Sequence, residues 1–206
     1  MGIQDTIGSG FLFFTAMRRK DRREQISVGV FCGSREVEEY DLTASAEEVG
    51  ELIAGYGYRL VFGGGNTGLM SAVSQSAVDF YAPVVGIIPK FLSSVEKPAD
   101  NLTELIYVDT MAERKERMFL ESDMFLVLPG GVGTLDEAFE VITNNQLGLF
   151  RKPIGFFDVD GYYQKIHEFF ETAIDCGLIS DTVNDLCFFD SNIKALFEKL
   201  KGALPD

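Results

Sequence analysis

The chain has 206 residues, 46% of them hydrophobic and 24% charged, and its 32 Asp and Glu against 18 Lys and Arg give a formal net charge of -14. A chain of this length buries about 70% of its unfolded surface, enough for one globular domain with no disulfide or metal staple. The acidic balance argues against a nucleic-acid polymer as ligand, because a phosphate backbone is repelled by such a surface, whereas a single small phosphate held by backbone N–H groups stays open.

Residues 1–25 read as an N-terminal extension and residues 26–206 as a single domain. The apolar run Phe11-Leu12-Phe13-Phe14 is too short to span a bilayer, and the basic cluster Arg18, Arg19, Lys20, Arg22 and Arg23 follows it instead of preceding it. That order is the reverse of a secretory signal, so no membrane contact is expected. A frayed or loosely docked segment is the favoured reading, with packing on a partner subunit the alternative. Cys32, Cys176 and Cys187 are widely spaced and lack a C-x-x-C pair, which suggests neither a disulfide framework nor a zinc site and fits a reducing cytoplasm.

From Gln25 onward, apolar runs of strand length alternate with helical patterns. Ser27–Cys32, Arg59–Phe62, Val84–Ile88, Leu105–Val108, Met124–Leu128 and Ile154–Phe157 read as strands buried on both faces. Ala44–Tyr56, Gly68–Tyr81, Ala112–Ser122, Thr134–Leu149 and Tyr162–Cys176 carry apolar residues at helical spacing. Successive β-α units of this kind predict a doubly wound parallel sheet in an α/β fold, with the ligand beyond the carboxyl ends of the strands.

The loops after the strands are therefore where chemistry is expected. After the first strand, Gly33 permits a tight turn and Ser34 is either a ligand contact or the cap of the next helix. After the second, Gly63-Gly64-Gly65-Asn66-Thr67-Gly68 places four glycines in six positions. Either the backbone turns through positive φ or something lies too close for a Cβ, and the second reading is favoured because a simple turn needs one glycine. After Met124–Leu128 comes Pro129-Gly130-Gly131-Val132-Gly133-Thr134-Leu135-Asp136-Glu137, opening a helix. Strand, glycine-rich turn and helix N-terminus present free N–H groups and the positive end of a dipole, a cradle for phosphate. No Lys follows the last glycine and the spacing is not G-x-G-x-x-G, so a Walker loop and a dinucleotide fingerprint are both disfavoured.

The helix before that strand carries Met111-Ala112-Glu113-Arg114-Lys115-Glu116-Arg117-Met118. Alternating charge usually marks a solvated face, but beside a phosphate cradle a fixed guanidinium can serve a nucleotide site. The one histidine, His167, has no Ser, Asp or metal-ligand partner in the pattern, so acid-base work falls to carboxylates, arginine or water.

Together, Gly63-Gly64-Gly65 with Gly68-Leu69-Met70, Met111-x-x-Arg114-Lys115, and Pro129-Gly130-Gly131-x-Gly133-Thr134-x-x-Glu137 resemble the LOG ("Lonely Guy") family. These are cytokinin riboside 5′-monophosphate phosphoribohydrolases, often labelled lysine decarboxylases. The resemblance runs from about Ile26 to Leu178 and includes Asp160-Gly161-Tyr162-Tyr163. It implies a Rossmann-like, three-layer α/β/α fold, a homodimer or higher homo-oligomer, and cleavage of the N-glycosidic bond of AMP or a cytokinin riboside monophosphate to free base and ribose 5-phosphate. No metal or cofactor is implied. Gly130, Gly131, Val132, Gly133 and Thr134 would hold the 5′-phosphate, and Arg114 and Glu137 would be catalytic. Ser34, Gly64, Gly65, Glu96, Met111, Lys115, Leu135 and Asp136 would contact substrate.

The chemistry fits such residues: C–N cleavage builds positive charge on the ribose, which a carboxylate can stabilise. Asp136, Arg35, Ala112, Asn144 and Phe150 depart from the family's usual residues, leaving a generic purine nucleotide as plausible a substrate as a prenylated one. The rival reading is a nucleotide-binding or sensing protein without hydrolysis, against which the retained Arg114 and Glu137 weigh.

Overall fold

The computed structural model describes residues 25–35, 42–94, 97–100 and 102–205, so residues 1–24 of the N-terminal extension and Glu96 lie outside the described residues. The apolar runs form seven strands: β1 (Ser27–Phe31), β2 (Arg59–Phe62), β3 (Val84–Pro89), β4 (Glu104–Val108), β5 (Met124–Val127), β6 (Ile154–Phe157) and β7 (Cys187–Asp190). They pair in parallel in the order β4-β3-β2-β1-β5-β6-β7. In the central strand Val28 lies between Leu60 and Met124, and Val30 between Phe62 and Leu126.

Side chains alternate between the two faces, as a period of two requires. Val28, Val30, Leu60 and Phe62 pack under α1 (Thr43–Gly55), α2 (Gly68–Asp79) and α7 (Ile193–Gly202). Phe31, Val61, Phe125 and Val127 pack under α4 (Met111–Glu121), α5 (Val132–Gln146) and α6 (Gln164–Asp175). A single helical turn, α3 (Lys90–Ser93), follows β3.

The doubly wound, three-layer α/β/α architecture is the one the sequence predicts, with three elements added. One is the helical turn α3; the short edge strand β7 extends the sheet beyond β6, and α7, with Ile193, Leu196, Phe197 and Leu200 buried, packs against these two strands. The pattern Thr134–Leu149 overran the observed α5 because Leu147 and Leu149 keep an apolar rhythm past its end. There Gly148 takes φ +68° and donates its N–H to Asn145 O.

Strands β1 to β4 build outward to one edge, and the chain then returns to lay β5 against the other side of β1. The strand order reverses between β1 and β5, and the crevice beyond their carboxyl ends is where this class of sheet binds ligands. Among the described residues no helix is long and apolar enough to cross a membrane.

Candidate functional site

Three loops converge at the β1/β5 switch point. The Gly33 N–H donates to Pro129 O at 3.0 Å, joining the loops after β1 and β5, and Leu69 N–H donates to Gly33 O at 3.1 Å, drawing in the start of α2. Gly68 makes that approach possible. It has φ +55°, and a Cβ there would come within 2.7 Å of the Ser34 backbone. Together the loops wall a cleft of about 1570 Å³, ample for a nucleotide.

Helix α4 aims a guanidinium into this cleft from the other face. Its start is fixed by a capping box: Thr110 Oγ1 accepts from Glu113 N–H at 3.1 Å, and Glu113 Oε2 accepts from Thr110 N–H at 3.3 Å. Glu113 is thereby a cap, and the residue after it, Arg114, begins the inward face. Arg114 Nε donates to Ile87 O at 3.2 Å, at the end of β3. Its guanidinium reaches the loop after β2, where a Cβ on Gly63 would collide with it. The glycine run serves both expected purposes: at Gly63 the close approach is by the protein's own arginine, while Gly64 and Gly68 take positive φ.

Arg114 Nη1 stands 3.0 Å from Glu137 Oε1, with the two side chains 13% and 8% exposed. The N–H is not directed at the oxygen, so Oε1 is buried without a hydrogen-bond partner among the described residues. This is a charge pair with an unfilled acceptor. Burial pushes the Glu137 carboxyl above its ordinary range, Arg114 opposes that, Asp136 reinforces it, Lys115 opposes it and Glu140 reinforces it. Cys32 lines the same cleft; burial and then the Glu137 charge push its thiol up, against Arg114, which disfavours the thiolate.

The loop expected to cradle phosphate is an open helix end. Gly131 caps α5 with no side-chain bond, and the N–H groups of Gly131, Val132, Gly133 and Thr134 have no acceptor among the described residues. A Cβ at Gly131 or Gly133 would meet only open space, whereas one at Gly130 would run into the Thr134 side chain folded back over it. Such an end attracts an anion through its free donors and its dipole.

The structure brings Ser34, Met111, Arg114, Gly130, Gly131, Val132, Gly133, Thr134, Asp136 and Glu137 to one cleft. It puts other expected residues off that wall. Gly64, with φ +78°, gives its carbonyl to Ala99 N–H at 3.0 Å, and Gly65 bridges Pro98. Leu135 packs into the core under α5. Lys115 ties α4 to α5 instead, reaching Glu140 at 2.6 Å and Asp136 at 2.9 Å. Ser34 does not cap α1, which begins at Thr43 behind Leu42.

Among the cleft residues that the sequence does not single out are Cys32, at the end of the first predicted strand, and Tyr162. Tyr162, whose hydroxyl donates to Gly130 O at 2.8 Å, is 32 positions away from its partner, and no local pattern announces the contact.

The family described as possible lysine decarboxylase matches residues 70–200. The chain is 40% identical over 176 residues to the cytokinin riboside 5′-monophosphate phosphoribohydrolase LOG3 of Arabidopsis thaliana, covering 85% of this chain and 82% of that protein. It is 38% identical to the probable cytokinin riboside 5′-monophosphate phosphoribohydrolase LOGL3 of Oryza sativa subsp. japonica, over 85% of this chain and 83% of that protein. Among solved structures, the molybdenum cofactor binding protein of Rippkaea orientalis superposes with a TM-score of 0.67 at 22% identity, covering 88% of this chain and 98% of that one. The molybdenum cofactor carrier protein of Chlamydomonas reinhardtii gives 0.65 at 20% identity, over 87% and 98%. These two likenesses are of fold.

Proposed function

Because the chain belongs to the family of cytokinin riboside 5′-monophosphate phosphoribohydrolases, we propose that it hydrolyses the N-glycosidic bond of a nucleoside 5′-monophosphate to free base and ribose 5-phosphate. The observation that carries this reading is a buried arginine–glutamate pair with an unfilled carboxylate acceptor, beside an open helix N-terminus.

The 5′-phosphate sits on the N–H groups from Gly131 to Thr134 and serves as a handle that positions the ribose. As the bond from C1′ to the base nitrogen breaks, its electron pair leaves with the base and positive charge grows on the ribose. The Glu137 carboxylate faces that charge and stabilises it. Water supplies the new C1′–O bond; its proton passes to Glu137 and returns to solvent, while the base takes up a proton. Arg114 opposes the effect of burial on Glu137, favouring the ionised form, and holds it in place. A guanidinium is a poor proton donor, so Arg114 is assigned to positioning and charge and not to protonating the base.

Asp136, half tied to Lys115, is placed at the edge of the ribose site, and Met70, Met111, Ile88 and Leu92 offer apolar surface to a base. We extend the reading to a homo-oligomer in a reducing, cytoplasmic setting, consistent with the three free thiols. The test is chromatography after incubation with AMP and, separately, with isopentenyladenosine monophosphate. Free base and ribose 5-phosphate from the prenylated nucleotide alone mean a cytokinin-activating enzyme, and release from both means a broader nucleosidase. Binding of either nucleotide with no release contradicts the hydrolytic reading and favours a nucleotide-binding module.

A further inference from the structure

Three consecutive carbonyls leaving β5 are each taken by a different donor. Leu128 O accepts from the Tyr163 hydroxyl at 2.7 Å, Pro129 O from the Gly33 N–H at 3.0 Å, and Gly130 O from the Tyr162 hydroxyl at 2.8 Å. The two tyrosines are neighbours on the turn after β6. That turn is fixed by Asp158 Oδ1 accepting from Tyr163 N–H at 2.6 Å and by a bond from Tyr162 N–H to Val159 O at 3.0 Å.

The pair divides its labour by burial. Tyr163 is 1% exposed, edge-on to Phe156, and burial drives its phenol far above the ordinary value, with the Gly130 backbone N–H pulling the other way. It belongs to the core. Tyr162 is 50% exposed and lines the cleft, so little of the fold depends on its hydroxyl.

What that hydroxyl does hold is the peptide between Gly130 and Gly131. A trans peptide is planar, and its C=O and N–H point in opposite directions, so fixing Gly130 O fixes the direction of Gly131 N–H. With glycine on both sides this is the least constrained peptide of the cradle. Gly131 N–H is also the first of the run of donors without an acceptor.

We propose that Tyr162 is a positioning residue of the phosphate subsite, holding the Gly130 carbonyl so that the Gly131 N–H is aimed at the phosphate of the substrate. This rests on the reading that the β5–α5 loop binds the 5′-phosphate. Tyr162 touches the loop and not the reacting atoms, so its loss weakens phosphate binding without removing a catalytic group.

The test titrates ribose 5-phosphate and adenosine by calorimetry into the full-length protein and its Tyr162→Phe variant, with Tm measured for both. Ribose 5-phosphate carries the phosphate and no bond to cleave; adenosine lacks the phosphate. Loss of one neutral hydrogen bond's orienting effect corresponds to ribose 5-phosphate binding about five- to tenfold weaker in Tyr162→Phe, with adenosine affinity and Tm unchanged. Unchanged ribose 5-phosphate affinity, or an equal fall for both ligands, overturns the proposal while leaving the phosphate reading standing. Failure of the unmodified protein to bind ribose 5-phosphate overturns the phosphate reading itself, and the role of Tyr162 with it.

Discussion

At the amino end of the sheet, Arg59 Nη2 reaches Glu121 Oε2 at 2.8 Å and Glu121 O at 3.0 Å, Arg59 Nε reaches Ser27 Oγ at 3.0 Å, and Arg117 closes on Glu121 Oε1 at 3.0 Å. At the carboxyl end, one turn from the start of the same helix α4, Arg114 stands 3.0 Å from Glu137 and leaves Oε1 without a hydrogen bond. Both pairs are largely withdrawn from water, at 22% and 14% exposed for the first and 13% and 8% for the second. Burial therefore does not distinguish them; hydrogen bonding of the carboxylate does, for Glu121 Oε2 accepts from Arg59 at 2.8 Å whereas Glu137 Oε1 accepts from no described residue. A glutamate hydrogen-bonded to a strand arginine locks strand to helix, whereas a buried carboxylate oxygen left unpaired beside a cleft keeps a place for a ligand atom.

The contrast is broken most forcefully at Arg114. Arg114→Met removes the charge that favours the ionised form of Glu137, and kcat for nucleotide hydrolysis is expected to fall roughly a hundredfold or more. A variant turning over at the parent rate would show that the pair is only structural. Gly63→Ala comes next: the new methyl occupies the place of the guanidinium and displaces it, for an expected loss of roughly ten- to a hundredfold in kcat with the nucleotide still bound. Unchanged kcat would mean that the position of Arg114 is not critical.

The pH profile sharpens the same point. Burial raises the Glu137 carboxyl, and its ionised form is the working one, so the rate falls as pH drops through that raised value. The acid limb of kcat should lie above the ordinary glutamate range and move further up in Arg114→Met. A limb at the ordinary value would argue against Glu137. The smallest effect is expected at the other pair: Arg59→Met should lower stability by about 1 kcal/mol in denaturant unfolding and leave kcat alone. A fall in kcat as large as that of Arg114→Met would erase the distinction drawn here.

Much of this arrangement is legible in the sequence because it is local. Buried parallel strands announce themselves as continuous apolar runs, although the run Leu105–Val108, expected to be buried on both faces, forms the edge strand β4, where no residue is fully buried. The cradle lies wholly within Pro129–Glu137, where strand end, glycines and helix start follow one another. The edge strand Cys187–Asp190 and α7 are legible on the same grounds, since Leu186-Cys187-Phe188-Phe189 is an apolar run of strand length and Ile193, Leu196, Phe197 and Leu200 keep a helical spacing. The rest depends on contacts between distant segments. Lys115 sits beside Arg114 in the chain, yet its reach to Glu140 and Asp136 is set by how α4 crosses α5. Gly63 is explained by a side chain from another helix, and Tyr162 by a carbonyl two elements earlier.

The most direct test compares the parent protein with Glu137→Gln, measuring AMP affinity by calorimetry and the release of adenine and ribose 5-phosphate by chromatography. The parent is expected to release both products, and Glu137→Gln to bind AMP with near-parent affinity while releasing them at least about a hundredfold more slowly, the effect of losing a positioned acid-base or charge-stabilising group. Equal release by the two proteins would contradict the assignment of Glu137 as the catalytic carboxylate.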